Sequence, residues 1–395
     1  MRFIDAAERR ARLARRHHLA PGRRAPDAVA AARRLVGLHA TSPATVYLSA
    51  RARVDDLAAA DVTGALYDDR TLVKHLAMRR TLWVIPADTF GDVRDVAGGR
   101  VAASERARLI KDVEGSGLVA DGAAWLEAAG EAVMAHLAEN GEATSAQLRA
   151  ALPLLEGSTT YAPHKSWGGQ VPVAPRVLTV LSAEGRIVRG TNDGGWHVSR
   201  PRWTTTAAWL GAEPAPGPPH DALVRLVRRW LFAFGPATVA DLRWWLGGTL
   251  TATRAALAAV GAVEVETDAG AAVVLPDDVD PVEPVAPWAA LLPELDPSTM
   301  GWAARDWYLG PHRERIFDSA GNGGPTAWWD GRIVGGWRQD GPGEVALQLL
   351  EDVGADARAA LEAEAERLAG WLAAVKTVLR FPSPLSKEAP AGDAA

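Results

Sequence analysis

Gly235-Pro-Ala-Thr238-Val-Ala-Asp241-Leu242-Arg243 restates an earlier stretch, Gly141-Glu-Ala-Thr144-Ser-Ala-Gln147-Leu148-Arg149, so that nine positions share the pattern G-x-A-T-x-A-(D/Q)-L-R. A weaker copy, Ser42-Pro-Ala-Thr45-Val-Tyr-Leu48, stands one comparable interval upstream. In each copy the Thr reads as a helix N-cap, its oxygen accepting from a first-turn amide, and Gln147 or Asp241 three residues on closes a capping box. An apolar stripe at helical spacing precedes each copy: Val29, Ala32 and Val36; Leu126, Ala129, Val133 and Leu137; Leu223, Val227 and Trp230. Helix, tight turn and second helix make the front half of a helix-turn-helix, with recognition helices expected at 56–67, 168–184 and 249–260. A β-rich segment follows each, at 72–85, 186–198 and 263–275, and reads as a wing. A helical solenoid would not insert β segments at one phase of every repeat.

The expected architecture is therefore α+β and helix-rich: three tandem winged-helix units at 1–112, 113–205 and 206–280, then a C-terminal α/β unit at 281–382. The acidic, Pro-rich stretch 276–287 reads as a linker. In the last unit Asp330-Gly331 between strand-like runs predicts a two-residue hairpin, and 356–378 predicts one long amphipathic helix. The Pro-, Ala- and Gly-rich tail, 383–395, is expected to be disordered.

Composition narrows the function. With 48% hydrophobic and 23% charged residues over 395 positions, the chain can bury several cores. It has no Cys, which excludes disulfides and thiolate metal sites. Its N-terminus lacks the apolar core of a signal peptide and no run suits a membrane span, so a cytoplasmic, nucleoid-associated protein is expected. The net charge of −5 is polarised: residues 1–111 carry 21 Lys and Arg against 12 Asp and Glu, leaving −14 for the rest. A basic first third suits a polyanion, although Arg-rich composition is also what a GC-rich genome encodes.

The segments LVGLHATSPATVYLSARARV, LVKHLAMRRTLWVIPADTF, FGPATVADLRWWL, LLPELDPSTMGWAARDWYL and PTAWWDGRIVGGW resemble the AlkZ/YcaQ-like winged-helix DNA glycosylases over roughly residues 36–337. The resemblance implies a monomer with tandem winged helices around a basic channel for double-stranded DNA, removing alkylated purines without metal or cofactor. In the glycosylase members a Gln-apolar-Gln or Gln-apolar-Asp triplet falls where this chain has His39-Ala40-Thr41. The resemblance thus makes His39 and Thr41 the catalytic candidates. His39 can position or deprotonate water; as a continuation of the Val29, Ala32, Val36 stripe it can equally be a hydrogen-bonded core residue. Thr41 offers only a hydroxyl, or caps the next helix. A base alkylated at N7 or N3 is already cationic and leaves without a strong general acid, so a held water and stabilisation of the developing sugar cation suffice.

The first wing supplies the DNA-binding candidates: Lys74, Arg79 and Arg80 for phosphates or a narrow minor groove, and Trp83 either to stack on bases or to pack the wing. Elsewhere Trp244-Trp245 reads as core, His17-His18 as a phosphate contact or a solvated helix face, and the Asp296-Pro297 and Arg305-Asp306 region as a turn with an internal ion pair. Gly321-Asn-Gly-Gly324 lacks the Lys-Ser/Thr of a phosphate loop and reads as a turn. Three functions follow: an alkylpurine glycosylase, a noncatalytic DNA binder acting as lesion sensor or regulator, and a binder of a DNA-alkylating natural product.

Overall fold

The structure, a computed structural model, describes residues 1–161 and 168–388. Helix and sheet are mixed in an α+β fold. Two compact units divide the chain, one formed by Met1–Ala65 with the residues from Val224 onward and the other by Leu66–Leu223.

In the unit Leu66–Leu223, strands Leu72–Leu76 and Leu82–Pro86 pair antiparallel, with Leu76 opposite Leu82. Helices Gly122–Asn140, Ser145–Ala151 and Val173–Glu184 follow, then a second hairpin, Ile187–Asn192 with Pro201–Thr205. The Thr144 capping box forms: its hydroxyl accepts from Gln147 N–H at 3.2 Å while Gln147 Oε1 accepts from Thr144 N–H at 2.8 Å. Leu126, Ala129, Val133 and Leu137 all enter one core with Leu148, Val177 and Leu181. The helix expected from 168 begins only at Val173, because Gly169–Pro172 pairs as a strand with Ser158–Tyr161 and Pro172 takes the extended N-cap conformation.

In the other unit the Thr238 box forms as well, and Asp241 does more than close it. Its Oδ2 accepts from Thr238 N–H while its Oδ1 accepts from the amides of Ala303 and Ala304 at 2.8 and 2.9 Å. Helices Val239–Leu246 and Leu250–Ala259 lead into the hairpin Val263–Thr267 with Gly270–Val274, to which Phe3–Ile4 adds a parallel strand. Four antiparallel strands follow in sequence order, Ala289–Leu292, Thr326–Trp329, Arg332–Gly341 and Glu344–Leu349, backed by helix Ala355–Leu372. Asp330 and Gly331 form the two-residue turn with φ of 45° and 78°, the left-handed pair that a type I′ hairpin requires.

Several expectations are corrected. Thr45 is not an N-cap: Pro43 opens helix Pro43–Arg51 behind Ser42, and the buried Thr45 hydroxyl donates instead to Glu294 O at 2.9 Å. Thr41 therefore does not cap that helix either. The helix expected at 56–67 is broken into Ala59–Thr63 and a π turn, Gly64–Asp68. The helix expected at 356–378 stops at Leu372, where Ala373 turns to φ 46°. The stretch 276–287 is docked rather than loose, since Arg12 donates to the Asp278 carboxylate at 2.7 Å and to Asp280 O at 2.7 Å, and Arg16 pairs with Asp278. The tail is ordered beyond Ser383, with a turn at Leu385–Lys387 and Leu385 buried; the rest of the expected disorder, 389–395, lies outside the described residues. Among the described residues no helix is long and apolar enough to cross a membrane.

Candidate functional site

His39 owes its position to a strained reversal. Helix Ala28–Arg34, capped by Asp27 accepting from Ala30 N–H at 2.7 Å, ends at Leu35, after which Val36 and Gly37 take φ of 61° and 145°. A β-branched residue at positive φ is a genuine outlier, of the kind that clusters at functional sites. The chain leaves it as the short strand Leu38–His39. His39 closes the strand, and Thr41 lies two residues on, in the bend that follows it. His39 is 2% exposed and Thr41 half-buried; the Thr41 amide donates to His39 Nδ1 at 3.4 Å. A neutral ring that accepts on Nδ1 carries its proton on Nε2, where it donates rather than accepts.

The helix that follows is pinned from below. Asp296, fully buried, accepts from Ser49 Oγ at 2.7 Å, from Arg53 Nη1 and Nη2 at 2.9 and 2.7 Å, and from Ser298 N–H at 2.8 Å. The expected internal ion pair thus exists, but its cation is Arg53. Arg305 lies instead over Phe317 at 4.3 Å and over Trp244 at 5.1 Å. Trp245 is core. His17 is buried rather than on a solvated helix face: its ring bridges Ser298 Oγ at 2.7 Å and Ala233 O at 3.1 Å, and burial keeps it neutral, well below the usual imidazole range.

One feature of this unit escaped the sequence. Arg34, in the last turn before the Val36 reversal, lies 4.6 Å over the ring of Phe232, which is 48% exposed. Among the described residues Arg34 has no ion pair and no hydrogen bond, so a partly desolvated cation rests on an exposed aromatic alone. The signal was present in Phe232, which falls off the Leu223, Val227, Trp230 stripe.

In the other unit the hairpin candidates divide. Arg79 and Arg80 sit in the tight turn Met78–Arg80 at φ of 56° and 59°, and Arg80 is exposed but lies forked on Glu105 at 2.5 and 3.0 Å. Trp83 is buried, with Nε1–H donating to Thr81 Oγ1 at 2.9 Å, and faces His75 across the hairpin. Lys74 is half-buried, its ammonium 2.5 Å from Tyr67 Oη and 4.9 Å from the Tyr67 ring; burial, with help from Arg189, pushes it down to about 7. His75 is fully buried against Phe90, and neither ring nitrogen finds a partner among the described residues. Burial, with Arg94 adding, lowers it to about 3. Among the described residues no group of three His, Cys, Asp or Glu is placed to hold a metal.

The fold has a solved counterpart in the Streptomyces sahachiroi DNA glycosylase AlkZ, at 22% identity and a TM-score of 0.74, covering 96% of this chain and all of that one. No curated protein matches the chain. The family model described as DNA glycosylase AlkZ-like matches residues 32–371, a span that includes the His39–Thr41 segment and both hairpin arginines, and the chain therefore belongs to the AlkZ-like DNA glycosylase family.

Proposed function

We propose that this protein is a monomeric, monofunctional DNA glycosylase that removes cationic or bulky alkylpurines from duplex DNA by water attack at C1′, without metal or cofactor. The observation that carries the reading is the Val36–Gly37 reversal, strained backbone that leads directly into His39 and Thr41 within the family-matched span. The alkylated base leaves with the electron pair of its glycosidic bond. The imidazole of His39 positions the attacking water, the Thr41 hydroxyl orients it or the sugar, and the proton that the water loses as its oxygen bonds to C1′ passes to bulk solvent. Arg34 and Arg79 take phosphates, while Arg80 joins them only by leaving Glu105. Three helix, helix, hairpin segments, within 1–112, 113–205 and 206–280, act as winged helices gripping backbone, which carries little sequence information.

A second reading, a noncatalytic lesion sensor or regulator, is favoured by the burial of His39 and by the departure from the family triplet. Duplex DNA containing N7-methylguanine separates the two. Incubation with the protein releases free 7-methylguanine and leaves abasic sites under the first reading; retention of the DNA without base release establishes the second.

A further inference from the structure

We propose that the open edge of strand Glu344–Leu349, with helix Ala355–Leu372 beside it, is a docking groove for an extended, basic segment of a partner protein. The inference is independent of base removal and goes beyond it.

The strand lies at the end of its sheet: it pairs with Arg332–Gly341 and with no other strand among the described residues. Its register fixes which backbone groups the sheet uses. Leu350 N–H donates to Val334 O at 2.9 Å, and these two residues stand opposite each other in the register that pairs Gly335 with Leu349. Bonded and open pairs alternate along an antiparallel ladder, so Ala346 and Gln348 bond to the sheet while Val345, Leu347 and Leu349 turn their N–H and C=O groups outward. No group among the described residues meets those outward donors and acceptors. Such an edge is a template for one more strand.

Val345, Leu347 and Leu349 also line an open groove of about 840 Å³, whose opposite wall is a face of the helix. Ala365 and Ala369, one turn apart on that face, are too short to reach across to the strand. Asp340, Glu344, Glu362 and Glu366 rim the groove against one guanidinium, Arg358. Asp340 is paired with Arg338 at 2.5 Å and Glu362 lies 4.0 Å from Arg358, but Glu344 and Glu366 are exposed and have no ion pair among the described residues.

Charge selects the occupant. The carboxylate rim repels a polyanion, so the groove is not a DNA surface. A second copy would set the same carboxylates face to face, because a two-fold interface joins each patch to itself. The chain's own last residues, 389–395, contain Asp393 and neither Lys nor Arg. What fits is a foreign strand with Lys or Arg at every second position for the rim and apolar side chains between them, since neighbouring side chains on a strand point to opposite faces.

The test is fluorescence anisotropy of labelled peptides with the full chain. The probe alternates Lys and Val over the length of the strand. One counterpart alternates Glu and Val; the other alternates Lys and Pro, which keeps the charge and cannot pair as a strand. The Lys-Val peptide is expected to bind, more weakly as salt rises, and each counterpart at least about tenfold more weakly. Glu344→Lys with Glu366→Lys, both at exposed positions, is expected to lower Lys-Val binding about tenfold and to favour the Glu-Val peptide instead. Amide exchange on the wild type gives the location: Val345, Leu347 and Leu349 slow when the Lys-Val peptide binds. Leu347→Pro removes an outward N–H and no ladder bond, and is expected to weaken binding likewise; if that variant unfolds, the exchange pattern of the wild type decides. No binding of the Lys-Val peptide, equal binding of the Lys-Pro peptide, slowed exchange only elsewhere, or a wild-type dimer that already protects these amides overturns the proposal.

Discussion

Replacing Asp296 by Asn, or Arg53 by Met, probes the support under the His39 segment. Both side chains are wholly buried, and the carboxylate accepts four hydrogen bonds, two from Arg53 and one each from Ser49 and Ser298. Loss of one partner leaves the other charge buried and uncompensated, which costs about 3 to 5 kcal/mol. Asp296→Asn keeps the shape and one acceptor oxygen and falls near the lower figure; Arg53→Met strands a carboxylate and falls near the upper. Removing both charges, in Arg53→Met with Asp296→Asn, relieves the electrostatic penalty, so the double variant is less destabilised than the two single costs added together. Urea denaturation gives the magnitudes, and faster amide exchange in Pro43–Arg51, the helix that carries Ser49, gives the location. Single costs below about 1 kcal/mol, or a double variant that loses the full sum, would refute the idea that this pair anchors the segment.

The other predictions concern binding, pH and assembly. DNA affinity should fall steeply with salt, and Arg34→Ala and Arg79→Ala should each flatten the log–log slope by about 0.9, with a smaller change for Arg80→Ala because Glu105 already holds that guanidinium; slopes unchanged in all three variants remove these arginines from the interface. His75 titrates near 3 folded and near 6.5 unfolded, so the unfolded chain binds more protons between those values. Its stabilising contribution is complete above pH 6.5 and is lost as pH falls towards 3, at up to about 1.4 kcal/mol per pH unit. His75→Leu should accordingly shrink the difference in urea midpoint between pH 7.5 and 4.5, and an undiminished difference contradicts the assignment. Sedimentation should show one chain per duplex with no advantage for palindromes, whereas a dimer on a single palindromic site would favour the regulator.

What could be read from sequence was local. The boxes at Thr144 and Thr238 and the Asp330-Gly331 turn each depend on residues within a few positions of one another, and each formed. What escaped involves partners far along the chain. Thr45 looks like its repeat mates until Glu294, 249 residues away, takes its hydroxyl. The acidic stretch at 276–287 reads as a linker until Arg12, 266 residues from Asp278, is known to grip it. Arg53 carries no motif, and Asp296, from which it is 243 residues distant, gives it one. The site followed the same rule: the sequence position of His39 was informative, but the orientation of its ring depends on the Val36 reversal and the Thr41 amide, and the character of Lys74 depends on Tyr67 and Arg189.

Release of 7-methylguanine from duplex DNA by the wild-type protein and by His39→Ala tests the central claim most directly. The variant loses a buried side chain and so about 1 to 3 kcal/mol of stability, which calls for an assay temperature well below its unfolding transition. The wild type is expected to release the base and leave an abasic site. His39→Ala is expected to stay folded and DNA-bound while release falls at least about a hundredfold, and Thr41→Asp is expected to raise release by placing a carboxylate beside the developing sugar cation. A folded, DNA-bound wild type that releases no base, or a His39→Ala variant that releases it at the wild-type rate, would contradict the account.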